Sequence, residues 1–141
     1  MAEESLRLVI HIDGGARGNP GPAAAGVVIR TEDGTIVHEA GIFLGDTTNN
    51  VAEYRSLLAA LETASALNAA EVEIRSDSEL LVRQMTGVYR VRKSHLQELF
   101  ALAQGLAGRF RKFSIQHVSR DQNKDADRLV NQAINLRRSV R

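Results

Sequence analysis

The chain has 141 residues, of which 43% are hydrophobic and 25% charged, and its formal net charge is +1. These values are typical of one globular domain that buries a core, and we expect it to span residues 1–141. The absence of cysteine excludes disulfides, thiolate metal sites and a cysteine nucleophile. Neither a signal peptide nor an apolar run of membrane-spanning length occurs, so we expect a cytoplasmic protein that does not enter a membrane.

Three strands are predicted first. Residues 6–12 (LRLVIHI) are apolar on both faces toward their end, which is typical of an interior strand. This strand is predicted to end at Asp13, where a glycine-rich turn begins. Residues 25–30 and 35–44 form the next two strands, and Asp33-Gly34 between them predicts a hairpin with positive φ at both turn positions. The three strands should therefore form an antiparallel meander.

Helices and strands alternate in the rest of the chain. Apolar residues recur at helical spacing in four segments, and short strands at 71–75 and 113–118 precede the second and the fourth. The third helix is predicted to begin with a capping box of Ser94 and Gln97. The order β-β-β-α-β-α-α-β-α predicts an α/β fold with a mixed five-stranded sheet and helices on both faces. Strands one, four and five should be parallel, because helical crossovers connect them.

Four carboxylates lie where these elements end or begin, and each has an ordinary structural explanation. Asp13 could cap the glycine-rich turn, and Glu53 could close a capping box in the first helix. Asp77 could be the N-cap of the second helix. Asp127, like Asp125, lies in the first turn of the last helix, where the helix dipole favours negative charge. Considered one at a time, none of the four carboxylates indicates a catalytic or metal-binding role.

Taken together, the same residues predict a metal site. Asp13 and Asp77 follow neighbouring parallel strands and should meet at the sheet edge where open α/β sheets bind ligands. Two carboxylates there repel each other unless a cation neutralises them. Hard oxygen ligands without cysteine suit Mg²⁺ or Mn²⁺. Four carboxylates are enough to hold two such ions about 3.5–4 Å apart, the arrangement used for phosphodiester displacement.

Two other functions share some of these sequence features. A dinucleotide-binding protein also has a strand leading into glycines, but here a strand and not a helix follows Gly15, Gly18 and Gly21. A nucleic-acid-binding module without activity would be free to lose at least one acid, whereas all four are present. Both alternatives are therefore less well supported than a nuclease.

Four segments resemble ribonuclease H of type 1, in the family's order and over most of residues 6–136: IDGGARGNPGPAAAG, TTNNVAEYRSLLAAL, RSDSELLVRQM and NKDADRLVNQA. The resemblance implies the ribonuclease H-like fold with a central first strand. It also implies a two-metal-ion endonuclease, using Mg²⁺ or Mn²⁺, that hydrolyses the RNA strand of RNA–DNA hybrids and leaves 3′-hydroxyl and 5′-phosphate ends. The expected partner is the RNA–DNA hybrid duplex, with no obligate protein partner and a monomeric chain.

The resemblance also implies which residues act. The metal ligands would be Asp13, Glu53, Asp77 and Asp127. Asp127 is preferred to Asp125 because it follows Asn123 by four positions and precedes the leucine of the DRL run. A residue that assists turnover is expected in the loop before the last helix. Arg120 is preferred for this role to His117, which lies inside a predicted strand.

Substrate contacts are expected in three places: Gly14, Gly15 and Asn19; Thr48, Asn49 and Asn50; and Glu79. Backbone amides in the glycine-rich segment could approach the minor groove of a hybrid, and the start of the first helix could bind a phosphate. Turn geometry and helix capping are the ordinary alternatives for these residues. Some relatives carry an extra basic helix, whereas here only VYRVRK separates Gly87 from Ser94. Its arginines and lysine are expected to replace that helix in part.

Overall fold

The computed structural model describes residues 6–141, so the acidic residues 1–5, on which the expected absence of a signal peptide partly rests, lie outside it. The predicted order of elements is confirmed. The strands are β1 (Arg7–Ala16), β2 (Gly21–Thr31), β3 (Ile36–Thr47), β4 (Glu71–Ser76) and β5 (Lys112–His117); the helices are α1 (Asn49–Ala66), α2 (Glu79–Met85), α3 (Ser94–Ala107) and α4 (Lys124–Leu136). A short 3-10 turn, Arg120–Asn123, precedes α4. None of the helices within residues 6–141 is long and apolar enough to cross a lipid bilayer.

The sheet has the strand order β3-β2-β1-β4-β5, which puts β1 at its centre. β1 runs antiparallel to β2, with Ile10 opposite Ile29, and parallel to β4, with Ile10 opposite Ile74. β4 and β5 are also parallel. The mixed five-stranded sheet is therefore confirmed, including the parallel set of β1, β4 and β5.

Helices cover both faces of the sheet, as predicted. On one face Leu8, Ile10 and Ile12 of β1 are fully buried in a cluster that includes α1 and part of α3. On the other face α4 packs over β2, where Val28 contacts the cluster of Ala126 and Leu129. Because side chains of a strand alternate between faces, Asp13 points to the α4 side while its neighbour Ile12 joins the core on the α1 side.

The predicted end of β1 is wrong. The strand continues through Gly14 and Gly15 to Ala16, which pairs with Ala23 of β2. Gly14 serves close packing instead of a turn, because a Cβ on it would lie 2.3 Å from the backbone carbonyl of Ala52 in α1. Only the pairing with β4 ends at Ile12, so β1 and β4 separate at Asp13.

Two turn details also differ from the predictions. In the β2–β3 hairpin only Gly34 has positive φ, at 90°, because the connection runs from Thr31 to Thr35 and is longer than two residues. The predicted capping box of α3 is absent: Lys93 is the N-cap, and the Gln97 side chain donates to the Val91 carbonyl at 3.0 Å.

Residues 86–93 connect α2 to α3 without a helix. This segment, here called the basic loop, carries the exposed side chains of Arg90, Arg92 and Lys93. Val91, which lies between the two arginines, is buried and anchors the loop in the core. Tyr89 of the same loop packs against Arg83, with the guanidinium carbon 5.5 Å from the ring centroid. The expected absence of an extra basic helix at this position is therefore confirmed.

Candidate active site

The point where β1 and β4 separate brings the first two acidic residues together. Asp13 lies on β1 directly after the last residue paired with β4, and its side chain is only 7% exposed. Asp77 directly follows Ser76, the last residue of β4. Ser78, and not Asp77, is the N-cap of α2, since its hydroxyl accepts from the Leu81 amide at 3.2 Å. The carboxylate of Asp77 is thus not used as a helix cap.

Glu53 enters the same cluster from α1. The close approach of α1 to Gly14 places Glu53 beside Asp13, and one oxygen from each of Asp13, Glu53 and Asp77 lies within 4.8 Å of the others. Thr48 caps α1 by accepting from the Val51 amide at 3.2 Å, so Glu53 has no capping role. Its Oε1 is buried and has no hydrogen-bond partner among residues 6–141.

The structure separates the two candidate aspartates of α4. Asp127 lines the cavity that contains the other three acids and interacts with Asp13. Asp125 points elsewhere: its carboxylate pairs with Arg30 of β2 at 2.6 Å. Asn123 fixes the start of α4 against β1, because its buried amide group donates to the Ile12 carbonyl at 2.8 Å. The helix therefore presents Asp127 to Asp13.

Burial and the neighbouring negative charges raise the pKa of two of the four carboxyls, those of Asp13 and Glu53. Burial, then the charges of Asp77 and Asp127, raises the pKa of Asp13 from its usual 3.8 to about 8. Burial, then the charges of Asp13 and Asp77, raises the pKa of Glu53 well above its usual 4.5. The backbone amide of Gly14 lowers both pKa values, and the positive charge of Arg120 lowers that of Glu53, but neither reverses the shift. The cluster holds more negative charge than the protein alone neutralises.

The donor set fits a hard divalent cation. Its members are carboxylates, which are the ligands that Mg²⁺ and Mn²⁺ prefer, and no cysteine is present. The buried, unpartnered Oε1 of Glu53 is an acceptor that a cation would satisfy. A cavity of about 350 Å³ opens beside the acids. The structure thus supports divalent metal use by this cluster.

The two candidate assisting residues lie in different places. Arg120, at the start of the 3-10 turn, lines the acidic cavity. His117 is the last residue of β5 and lines a separate cavity with His11 and Arg75. Of the two, only Arg120 is near the four acids.

The predicted substrate residues are divided between the cavity and its surroundings. Gly14, Gly15 and Asn49 line the cavity. Asn19 lies outside it and accepts from the Asn49 amide at 3.1 Å, while the Asn49 side chain accepts from the Ala16 amide at 2.7 Å. These contacts tie the β1–β2 turn to the start of α1 and occupy one of its free amides.

The remaining predicted substrate residues flank the cavity. Thr48 serves as the N-cap of α1. Asn50 lines a shallow groove beside Glu53 and Leu81. Glu79 is exposed at the start of α2 and pairs with Arg83 at 3.1 Å, away from the acids.

Sequence reasoning missed several residues of the cavity: Arg17, Ser78, Val130, Asn131 and Ile134. Asn131 was accessible to prediction, because it follows Asp127 by four positions and side chains at that spacing lie on one helix face. Arg17 was not, since its distance from Asp127 in the sequence gives no sign of their proximity.

Known proteins resemble this chain along most of its length. A family described as Reverse transcriptase-like matches residues 11–133. The bifunctional protein Rv2228c of Mycobacterium tuberculosis is 45% identical over 130 residues, which are 92% of this chain and 36% of that protein. Ribonuclease HI of Halobacterium salinarum is 43% identical over 128 residues, 91% of this chain and 64% of that protein. The chain therefore spans about a third of the first relative and under two thirds of the second.

Three solved structures also have a fold similar to that of this chain. The N-terminal RNase H domain of the Mycobacterium tuberculosis protein has a TM-score of 0.91 at 45% identity, covering 94% of this chain and 96% of that one. RNase H1 of Halobacterium salinarum has a TM-score of 0.89 at 43% identity, with coverages of 92% and 98%. LC11-RNase H1 in complex with an RNA/DNA hybrid has a TM-score of 0.88 at 46% identity, also with coverages of 92% and 98%. The family match, the sequence identities and the shared fold show that the chain belongs to the type 1 ribonuclease H family.

Proposed function

We propose that the chain acts as a ribonuclease H domain, a metal-dependent endonuclease that hydrolyses the RNA strand of RNA–DNA hybrids and leaves 3′-hydroxyl and 5′-phosphate ends. The observation that carries this proposal is the convergence of acids from four separate elements on one cavity. The names of the relatives support the reaction class, and the hybrid bound to LC11-RNase H1 supports the substrate.

The residues that would hold two Mg²⁺ or Mn²⁺ ions are Asp13, Glu53, Asp77 and Asp127. Such ions, when bound, supply activation of water and charge neutralisation at the scissile phosphate. The protein contributes a rigid arrangement of ligands, because β1 and the packed helices fix the four acids before any substrate arrives. The Arg120 guanidinium, beside Glu53, is placed to contact an anionic phosphate oxygen or the product.

Substrate binding is assigned to the rim of the cavity. Gly14 and Gly15 expose backbone there without side chains, so a minor groove displaying 2′-hydroxyls can approach closely. The DNA strand is assigned to the start of α1, where Asn49 and Asn50 offer amide side chains near a helix N-terminus. Glu79 and Asn19 take part less directly, since both are engaged in contacts within the protein.

Cleavage of a labelled RNA–DNA hybrid with Mg²⁺ or Mn²⁺ tests the proposal. Wild-type protein should cleave the RNA strand, and Asp77→Asn should lose nearly all cleavage while still binding the hybrid. The matched control is Asp125→Asn, an aspartate whose partner is Arg30 and not the cluster, which should keep cleavage. Equal cleavage by wild type and Asp77→Asn would refute the assignment. Sedimentation of the same sample should give the mass of a monomer.

A further inference from the structure

A chain of hydrogen bonds leads from the β1–β2 turn to Asp127. The amide group of Asn131 donates to the Asp127 side chain at 3.4 Å and to its backbone carbonyl at 3.2 Å. Arg17 in turn donates to the Asn131 side-chain oxygen at 3.3 Å and to the Asn135 side-chain oxygen at 2.5 Å. Asp127, Asn131 and Asn135 are spaced four residues apart, so they lie along one face of α4.

The donors and acceptors in this series of hydrogen bonds are ordered from Arg17 to Asp127. An asparagine amide can present either its oxygen or its nitrogen to a neighbour, whereas a guanidinium has donors only. Because Arg17 takes the oxygen of Asn131, it turns the amide nitrogen toward Asp127. A carboxylate is stabilised by that donor and repelled by the oxygen, so the Arg17 contact reinforces the amide orientation that the backbone carbonyl of Asp127 also favours.

Arg17 is itself held firmly, although its side chain is exposed. Its amide donates to the Pro22 carbonyl at 2.9 Å and closes the turn. Gly21 packs so closely under this turn that a Cβ there would lie 2.0 Å from the Arg17 carbonyl. Within residues 6–141 the guanidinium forms no ion pair, even though it lines the cavity with four acids. The guanidinium instead donates its hydrogen bonds to Asn131 and Asn135 of α4.

We propose that Arg17 and Asn131 are positioning residues that hold the Asp127 carboxylate in the orientation needed to bind metal, with Arg17 acting through Asn131. This inference rests on the proposed function, in which Asp127 is a metal ligand. Outer contacts of this kind commonly change metal affinity or activity about 10–100-fold when removed. These contacts also connect the β1–β2 turn to Asp127, the most exposed member of the acidic cluster.

The test compares Asn131→Ala, Arg17→Leu and the double variant with wild type, and uses Gln132→Ala, an exposed neighbour on α4, as the matched control. Calorimetric titration with Mn²⁺ alone measures the affinity of the acidic cluster for metal in the absence of substrate. Steady-state cleavage of a hybrid then separates kcat from KM. Thermal unfolding should move little, because all three substituted residues are on the surface.

We expect Asn131→Ala to weaken Mn²⁺ binding and lower kcat by about tenfold, with KM nearly unchanged. Arg17→Leu should give a similar or smaller loss, and the double variant should be no worse than Asn131→Ala, because the two residues act in series. Arg17→Lys, which keeps a donor-only side chain, should recover part of the loss.

Three results would overturn the inference: Mn²⁺ affinity equal to wild type in Asn131→Ala, additive losses in the double variant, or an increase in KM alone. The last would mean that Arg17 contacts the hybrid directly. If wild type binds Mn²⁺ but cleaves no hybrid, the proposed function fails while the Mn²⁺ titrations still decide whether these residues position Asp127.

Discussion

Replacing Asp13 by asparagine should stabilise the metal-free protein while abolishing its activity. Asp13 is 7% exposed and lies among three other acids. Because burial and those charges raise its pKa in the folded state to about 8, the unfolded chain ionises this group far more readily than the folded one. The folded state therefore binds more protons between pH 3.8 and about 8, and its stability falls as pH rises through that window.

The magnitude follows from the two pKa values of Asp13. Each pH unit above the unfolded value of 3.8 costs the folded state about 1.4 kcal/mol, until the pH reaches the folded value of about 8. At pH 7 the accumulated cost has an upper limit of ~4 kcal/mol. Asparagine has nearly the same shape and no charge, but it loses part of the favourable contact with the Gly14 amide. We therefore expect Asp13→Asn to raise the free energy of unfolding by ~2–4 kcal/mol at pH 7.

Urea unfolding in EDTA between pH 5 and pH 8 measures this effect. The gain from Asp13→Asn should be smallest at pH 5 and largest near pH 8, and saturating Mn²⁺ should reduce it, because metal binds only the wild-type cluster. Asp46→Asn, an exposed aspartate on β3, is the matched control and should change stability by less than ~0.5 kcal/mol. A variant that is no more stable than wild type at pH 7, or whose gain does not grow with pH, would refute the reasoning.

Three further predictions concern packing and the substrate. Gly14→Ala should lower the free energy of unfolding by ~3 kcal/mol or more and abolish hybrid cleavage, because its Cβ would clash with the α1 backbone at 2.3 Å. The control Gly105→Ala, in open space on α3, should raise the free energy of unfolding by ~0.5–1 kcal/mol. Urea unfolding measures both changes. Tyr54→Phe should cost ~1–3 kcal/mol in the same assay, because a buried glutamine oxygen loses its donor at 2.6 Å, while the exposed Tyr89→Phe should have little effect. Replacing the three cations of the basic loop by glutamine should lower the slope of log Kd against log salt for hybrid binding by about 2–3, measured by anisotropy in Ca²⁺; an unchanged slope would place the loop away from the substrate.

Much of the fold follows from local signals. Local signals predict individual elements: alternating apolar residues predict β1, helical spacing after Thr47 predicts α1, and a polar turn marks the start of α4. The order of the elements then limits the sheet to few topologies. The predicted end of β1 is wrong because Gly14 and Gly15 have the composition of a turn. Gly14 is instead required by the close contact with α1, a long-range feature that no local pattern contains.

For a similar reason, the sequence predicts the acids of the site better than the contacts that orient them. The four acids are marked by their positions at element ends and by resemblance, and the structure brings them together. Asp125 and Asp127 have the same local character, and what separates them is the direction of α4, set by contacts such as that of Asn123 with β1. The contact of Arg17 with α4 joins residues more than a hundred positions apart, so only the folded chain reveals it.

The distribution of the acids over the fold links metal binding to the whole molecule. Asp13 lies on the central strand, Glu53 on α1, Asp77 after β4 and Asp127 on α4. No single element, and no pair of sequence neighbours, supplies the cluster, so any opening that detaches one of these elements removes a ligand. A bound cation should therefore stabilise the chain against global unfolding by RT ln(1 + [M²⁺]/Kd) and should slow local opening of each of the four elements. Conversely, burial of Asp13 and its repulsion by Asp77 and Asp127 destabilise the entire metal-free fold, and a neutral side chain at this position should remove both effects.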